Sequence, residues 1–223
     1  LFATGYAFES SAEAVEMAEE PKGMTSEALR QISYETGAVC IAGFPEKGPE
    51  GAYNSALAVN STGVIQVYRK IHLFNREKEY FLPGNTPFPV IPVKGIPVGI
   101  MICFDWIFPE SARTLAMKGA VIIAHPSNLV LTFCQKAMIT RSIENKVFTV
   151  TSNRTGREDR GGTDLLFTGQ SQITDPSGRL LAQAGEDSEE VHVVSIDPGL
   201  ALDKKPTPFN AVFLDRRPEM YKF

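Results

Sequence analysis

The stretch from Val98 to Ser152 constrains this chain most. Three apolar segments, Val98–Ile102, Ala120–His125 and Val147–Ser152, alternate with two stretches of helical pattern, about Pro109–Lys118 and Phe133–Asn145. Apolar strands without polar alternation are buried on both faces, and strand–helix–strand repetition folds as parallel strands with helices outside. Pro109 near a first turn and Gly119 just past a last turn place the ends of the first helix. The chain is therefore expected to be α/β.

Flanking segments fit around this unit. Ser11–Glu19 and Thr25–Thr36 read as helices, the second with Thr25 or Ser26 as capping candidates and Gly37 at its C-terminal end. Ala38–Phe44, Tyr53–Asn60 and Val64–Arg69 read as strands, the last two joined by the turn Ser61-Thr62-Gly63. Residues 71–90, with Pro83-Gly84, Pro87 and Pro89, form an irregular stretch of a length that is usually functional. Gln170–Thr174 and Arg179–Ala184 flank the turn Asp175-Pro176-Ser177-Gly178, and Val191–Ile196 reads as a further strand. With no repeat or linker, one domain over residues 1–223 is expected.

Composition excludes several function classes. The chain is 43% hydrophobic and 22% charged, with a formal net charge of −4. This is ordinary for a globular domain, and no Lys/Arg block supports nucleic-acid or acidic-membrane binding. No apolar run approaches the roughly 20 residues of a membrane helix. Cys40, Cys103 and Cys134 are odd in number and contain no Cys-x-x-Cys, so a reducing compartment, the cytoplasm, is expected. His72, His125 and His192 are isolated, so no metal site is expected, and there is no Gly-rich phosphate loop.

Cys103 ends the strand Val98–Ile102, just ahead of the helix beginning near Pro109. A cysteine on such a turn is held rigidly toward a crevice, and helix N-terminal dipoles favour its reactive thiolate. The plainer alternative is a small core hydrophobe. Arg69-Lys70, Cys103 and His125-Pro126 all sit at strand ends, with Ser152-Asn153 nearby in order, and open α/β sheets bind ligands at such an edge. Lys70, in an apolar neighbourhood, is either a snorkelling surface lysine or a fixed cation for a thiolate and an oxyanion. His125 and His72 keep a Cys/His hydrolase open as an alternative. Glu110, in a helix first turn, reads as structural. Tyr6, Phe74, Phe104 and Trp106 are candidates for aromatic pocket walls, and Ser127-Asn128 for a polar turn sharing the crevice.

The blocks Tyr68-Arg69-Lys70-Ile71-His72-Leu73-Phe74, Cys103-Phe104-Asp105-Trp106-Ile107-Phe108-Pro109-Glu110 and Arg141-Ser142-Ile143-Glu144-Asn145 occur in that order. Together with Pro126-Ser127-Asn128, Asn153-Arg154-Thr155-Gly156 and Gly169-Gln170-Ser171, they resemble the nitrilase, or carbon–nitrogen hydrolase, superfamily over essentially the whole chain. The resemblance implies a four-layer αββα sandwich and a Glu–Lys–Cys triad, with Lys70 as the lysine and Cys103 as the nucleophile. Glu77 matches a second glutamate that orients the lysine or assists proton transfer. The family's base glutamate precedes a segment like Leu1-Phe2-Ala3-Thr4-Gly5-Tyr6, one position upstream of Leu1. A first strand and helix precede it in the family, so truncation at the N-terminus is expected. The implied reaction is hydrolysis of a small-molecule amide to acid and ammonia through a Cys103 thioester, without a cofactor.

Cys103-Phe104-Asp105 looks like the amidase-type branches rather than the Cys-Trp-Glu of true nitrilases. Nitrile or N-carbamoyl hydrolysis and an inactive binding scaffold are the alternatives. Ile107 stands where some ω-amidase-like members carry an arginine, which makes a dicarboxylate monoamide less attractive as substrate. The resemblance also implies a homodimer or higher oligomer. The Pro-rich tail from Asp203, with Phe209, Phe213, Tyr221 and Phe223, is expected to pack against the body or a second subunit, and the helix carrying Met138 and Ile143 is a candidate for more of an interface.

Overall fold

The computed structural model describes residues 1–221, so Phe223 lies outside the described residues. Two helices, α1 (Ser11–Glu16) and α2 (Met24–Thr36), precede an antiparallel sheet of β1 (Cys40–Lys47), β2 (Ala52–Asn60) and β3 (Gly63–Arg69). A single-turn α3 (Glu77–Tyr80) follows, and β4 (Phe81–Leu82) pairs parallel with the start of β2. The second sheet begins with β5 (Val90–Val93) and β6 (Ile96–Ile100). Helix α4 (Pro109–Met117) then leads to β7 (Ile122–Ser127), and α5 (Cys134–Asn145) to β8 (Phe148–Asn153). After a separate hairpin, β9 (Arg157–Arg160) and β10 (Thr163–Leu166), the chain adds β11 (Gln172–Thr174) and β12 (Leu180–Gln183). The order is β12-β11-β8-β7-β6-β5, with β6, β7 and β8 parallel. The expected strand–helix–strand unit is thus the centre of this sheet.

Side-chain alternation stacks these elements. Leu29 of α2 packs on Phe44, Leu57 and Val59 of the first sheet. Ala56, Ala58 and Tyr68 share a core with Val98, Ile100 and Ile123 of the second sheet. Between Val98 and Ile100, Gly99 faces the other way, where a Cβ would lie 2.9 Å from Leu115 Cδ2 of α4. Ala112, Leu115 and Met138 therefore cover the far side. Helix, sheet, sheet and helix follow in order, the αββα sandwich. Strand β2 is buried from Ala52 to Val59, as a strand covered on both faces must be.

Three local expectations change. Gly23, not Thr25 or Ser26, caps α2; the Glu19 carboxylate takes the Thr25 N–H (2.8 Å) and hydroxyl (2.7 Å), while Ser26 Oγ donates back to the Gly23 carbonyl. Val191–Ile196 joins no ladder: Ile196 packs near Val121 and Phe148, whereas Val191 and Val193 are each 91% exposed. A strand needs a neighbour to take its backbone groups, and apolar alternation alone does not supply one. Met138 is fully buried in the core and offers nothing to an interface. In the tail, Phe213 packs on the body as expected, against the cations of Arg113 and Lys204, while Phe209 is exposed.

Candidate active site

Lys70 follows the last residue of β3. Its N–H donates to the Asn54 carbonyl of β2 (2.8 Å), and its carbonyl accepts from Gly84 (2.9 Å). Gly84 approaches so closely that a Cβ there would sit 2.2 Å from the Arg69 oxygen, so a side chain would push the loop off this strand end. The Lys70 side chain has no solvent exposure, and its ammonium meets both oxygens of Glu77, at 2.6 and 2.8 Å. Glu77 also accepts from Tyr6 Oη (2.7 Å), Asn54 Nδ2 (3.3 Å) and the Phe74 N–H (3.0 Å). Burial opposes the lysine charge, but the Glu77 carboxylate, aided by Asp105, outweighs it and holds the Lys70 pKa above its ordinary value.

Cys103 opens a 3₁₀ helix that runs to Ile107, three residues after β6 ends. Its φ of 41° lies in the left-handed region, which costs a non-glycine residue about 1–3 kcal/mol and is found where surroundings enforce it for function. Two buried groups enforce it here. Asp105 accepts from the Ile102 N–H (2.9 Å) and Tyr68 Oη (2.8 Å) and bonds His72 Nδ1 (2.8 Å). His125 Nε2 donates to the Cys103 carbonyl (2.8 Å), while its Nδ1 meets Thr151 Oγ1 (3.1 Å). Burial pushes the His125 pKa down to about 4, so the ring is neutral and committed to backbone support. His72 is held by Asp105 and stacked on Phe108. His125 thus turns its nitrogens to the Cys103 carbonyl and Thr151, and His72 turns Nδ1 to Asp105; neither ring is bonded to the Cys103 sulfur, whose contact is the Asn128 carbonyl.

The expectation of a resting thiolate also changes. Burial raises the Cys103 pKa, Glu77 adds to the rise, and the Lys70 ammonium and a backbone hydrogen bond at Asn128 counter only part of it. Cys103 therefore rests as a thiol, with Sγ 3.7 Å from the Asn128 carbonyl.

Cys103, Tyr6, Ser127 and Asn128 line one cavity of about 410 Å³, together with Asn54, Asn153 and Arg154. This is the size of a small-ligand site. Lys70 and Glu77 stand behind its wall, joined to it through Tyr6 and Asn54. Phe104 and Trp106 are not in this lining. They border, with Cys103, Asn128 and Phe74, a separate recess of about 10 Å³, room for one water at most, and Trp106 is buried core. Burying an indole in the sheet–helix core outweighs presenting it to a crevice. Ile107 is likewise outside the cavity lining, so its identity says nothing about carboxylate binding; Arg154 is the charged side chain that reaches the lining. Glu110 lies exposed in the first turn of α4. Sequence reasoning passed over Asp105 and the support given by His125; the adjacency of an acid to Cys103-Phe104 was the available signal for the first. Among the described residues, no group of three or more His, Cys, Asp or Glu is arranged to hold a metal ion. No helix there is long and apolar enough to cross a membrane.

Comparison with known proteins agrees with this geometry. Residues 1–204 match the family described as carbon-nitrogen hydrolase. A protein named nitrilase from Pyrococcus abyssi (strain GE5 / Orsay) is 49% identical over 222 residues, 99% of this chain and 83% of that one. An (R)-stereoselective amidase from Pseudomonas sp. is 36% identical over 193 residues, covering 85% and 69% of the two chains. An N-carbamoylputrescine amidase from Solanum lycopersicum is 33% identical over 215 residues, covering 87% and 70%. The solved structure of an amidase from Nesterenkonia AN1, of the nitrilase superfamily, superposes with a TM-score of 0.73 at 28% identity, over 84% of this chain and 71% of that one. In another structure of that amidase, acrylamide is joined to the active-site cysteine by Michael addition (TM-score 0.64, 30% identity, 72% and 64% coverage). A strained cysteine at a strand end, a buried lysine behind it and these matches together place the chain in the carbon–nitrogen hydrolase family of the nitrilase superfamily.

Proposed function

We propose that this protein hydrolyses a small primary amide, RCONH2, to RCOOH and NH3 through a thioester on Cys103. The observation that carries the reading is the strained Cys103 facing a cavity of about 410 Å³, with a fully buried ammonium, Lys70, behind it. The Cys103 thiol gives its proton to a base as sulfur bonds the carbonyl carbon. The carbonyl electrons move to oxygen, where the Lys70 ammonium and the Phe104 N–H receive them. That N–H is the second of a helix, with no carbonyl ahead of it within the helix. Losing one such donor typically costs about 2.7–4 kcal/mol of barrier. Collapse breaks the C–N bond, the nitrogen leaves as ammonia with the transferred proton, and water then cleaves the thioester. Glu77 has both oxygens occupied, so its role is to hold Lys70 in place. The resemblance to the family implies a glutamate as that base. Tyr6, Ser127 and Asn128 wall the acyl group.

No cofactor enters this scheme. The working form is a homodimer, in which the exposed Val191, Val193 and Phe209 find cover, and three free cysteines suit the cytoplasm. Nitrile hydrolysis is the second reading, favoured by the name of the Pyrococcus relative. Ammonia release from acetamide, propionamide and benzamide, beside the matching nitriles and N-carbamoyl compounds, tests the choice. Turnover of an amide ahead of its nitrile is expected; turnover of nitriles alone would replace this reading with the second.

A further inference from the structure

Glu158, on hairpin strand β9, is buried to 13% side-chain exposure, although a carboxylate on a two-stranded hairpin would ordinarily be solvated. It accepts from the Tyr6 N–H (3.0 and 3.1 Å), the Ala7 N–H (3.1 Å) and the Arg154 guanidinium. Gly5 makes the approach possible: its φ is 81°, and a Cβ there would lie 2.6 Å from Glu158 Oε1. Tyr6 and Arg154 are both walls of the Cys103 cavity, so one carboxylate ties two of them together. From Tyr6 the chain of contacts goes on. Its hydroxyl donates to Glu77 Oε1 (2.7 Å), and Glu77 grips the Lys70 ammonium through both oxygens.

We propose that Glu158 is a positioning residue for amide turnover, fixing Tyr6 so that the Glu77–Lys70 pair stays aligned with Cys103. This rests on the amidase reading above. The mechanism is geometric. Two backbone N–H groups pointed at one carboxylate fix the Tyr6 main chain, and the tyrosine ring carries that placement about one side chain further to Glu77. Misplacement of an oxyanion donor by ~1 Å costs up to about 100-fold. The rest of the hairpin serves the same attachment: Arg160 pairs with Glu13, and Arg76 donates to the Gly161 carbonyl (3.1 Å) and to Thr163 Oγ1 (2.6 Å).

Alkylation of Cys103 reads this placement without requiring hydrolysis. In the addition of acrylamide, the thiol sulfur bonds the terminal alkene carbon, charge passes to the carbonyl oxygen facing Lys70, and a proton completes the α-carbon. Iodoacetamide displaces iodide from carbon and puts no charge on its carbonyl. Both rates are followed by intact-mass spectrometry on the full chain and on Glu158→Gln, Gly5→Ala, Tyr6→Phe and the Glu158→Gln/Tyr6→Phe double variant. The expected result is an acrylamide rate about tenfold lower in Glu158→Gln and in Gly5→Ala, with the iodoacetamide rate unchanged within about twofold. In the Tyr6→Phe background, Glu158→Gln should add little, because both act through the same hydroxyl. Equal slowing of both reagents, or independent and multiplying effects of Glu158→Gln and Tyr6→Phe, would overturn the proposal. Gly5→Ala keeps every charge, so it still decides the question if Glu158→Gln fails to fold. Ammonia release by the unaltered chain stands or falls separately, since it tests the amidase reading and alkylation does not.

Discussion

Glu77→Gln is the most informative single change, because it separates the charge of Lys70 from its burial. In the native protein the ammonium is fully buried and held by two carboxylate oxygens at 2.6 and 2.8 Å. Removing one partner of a buried ion pair costs about 3–5 kcal/mol, because the remaining charge stays desolvated. For a chain of this size each kcal/mol moves Tm by about 2–4 °C, so calorimetry at neutral pH should show a fall on the order of 10 °C. The pH dependence carries the sharper sign. In the native protein the Lys70 pKa is above its ordinary value, so its stabilisation is complete below about pH 10 and is lost only as pH rises through the folded pKa. In Glu77→Gln the largest carboxylate influence is gone, burial dominates, and the folded pKa drops below the unfolded one. The unfolded state then binds more protons, so the stability deficit shrinks as pH rises from neutrality toward the ordinary lysine value. Activity should move the opposite way, falling over the same range as the ammonium is lost. Urea unfolding and ammonia release measured from pH 6 to 10 on both proteins check this. A loss under about 1 kcal/mol, or stability and activity of the variant that track the native curves in parallel, would refute the assignment of Glu77 as the counter-ion on which Lys70 depends.

Other outcomes follow from the same geometry. His125 has its folded pKa pushed down to about 4, below the unfolded value of about 6.5, so its contribution is present above pH ~6.5 and is lost as pH falls through the folded pKa. Urea titrations should show roughly 3 kcal/mol of acid destabilisation across that window, reduced in His125→Gln. Light scattering at micromolar concentration should give a dimer mass, and Val193→Asp, at a position 91% exposed, should shift it toward monomer. A monomeric native protein would defeat the assembly.

The central sheet was legible because its signals are local. Apolar runs ending at Ile102, His125 and Ser152, with helical patterns between them, leave little choice of layer order, and Cys103 and Lys70 fall at strand ends. What escaped was set by contacts distant in sequence. Asp105 looks like any turn acid until Tyr68, His72 and the Ile102 N–H converge on it. His125 resembles a base and proves to be a backbone prop, because only the fold brings the Cys103 carbonyl to its ring. Strands β9 and β10 carry charges such as Arg157, Glu158 and Asp164 in place of apolar alternation and are held by ion pairs, a pattern that reads as loop. Val191–Ile196 has the alternation and lacks the neighbour. Trp106 followed the reactive cysteine in sequence, yet burial drew it into the core.

Cys103 as the acyl-carrying nucleophile is the central claim, and trapping the acyl group tests it most directly. Cys103 faces the cavity, Cys134 is fully buried with its thiol pKa pushed up by desolvation, and Cys40 sits half-buried on β1 outside the cavity lining. The protein should be mixed with a turned-over amide, quenched in acid within the first turnovers, digested and mass-analysed. The account predicts one acyl mass, on the peptide containing Cys103, absent from Cys103→Ala, which should also release no ammonia. An acyl group on another residue, or ammonia release that survives Cys103→Ala, would contradict it.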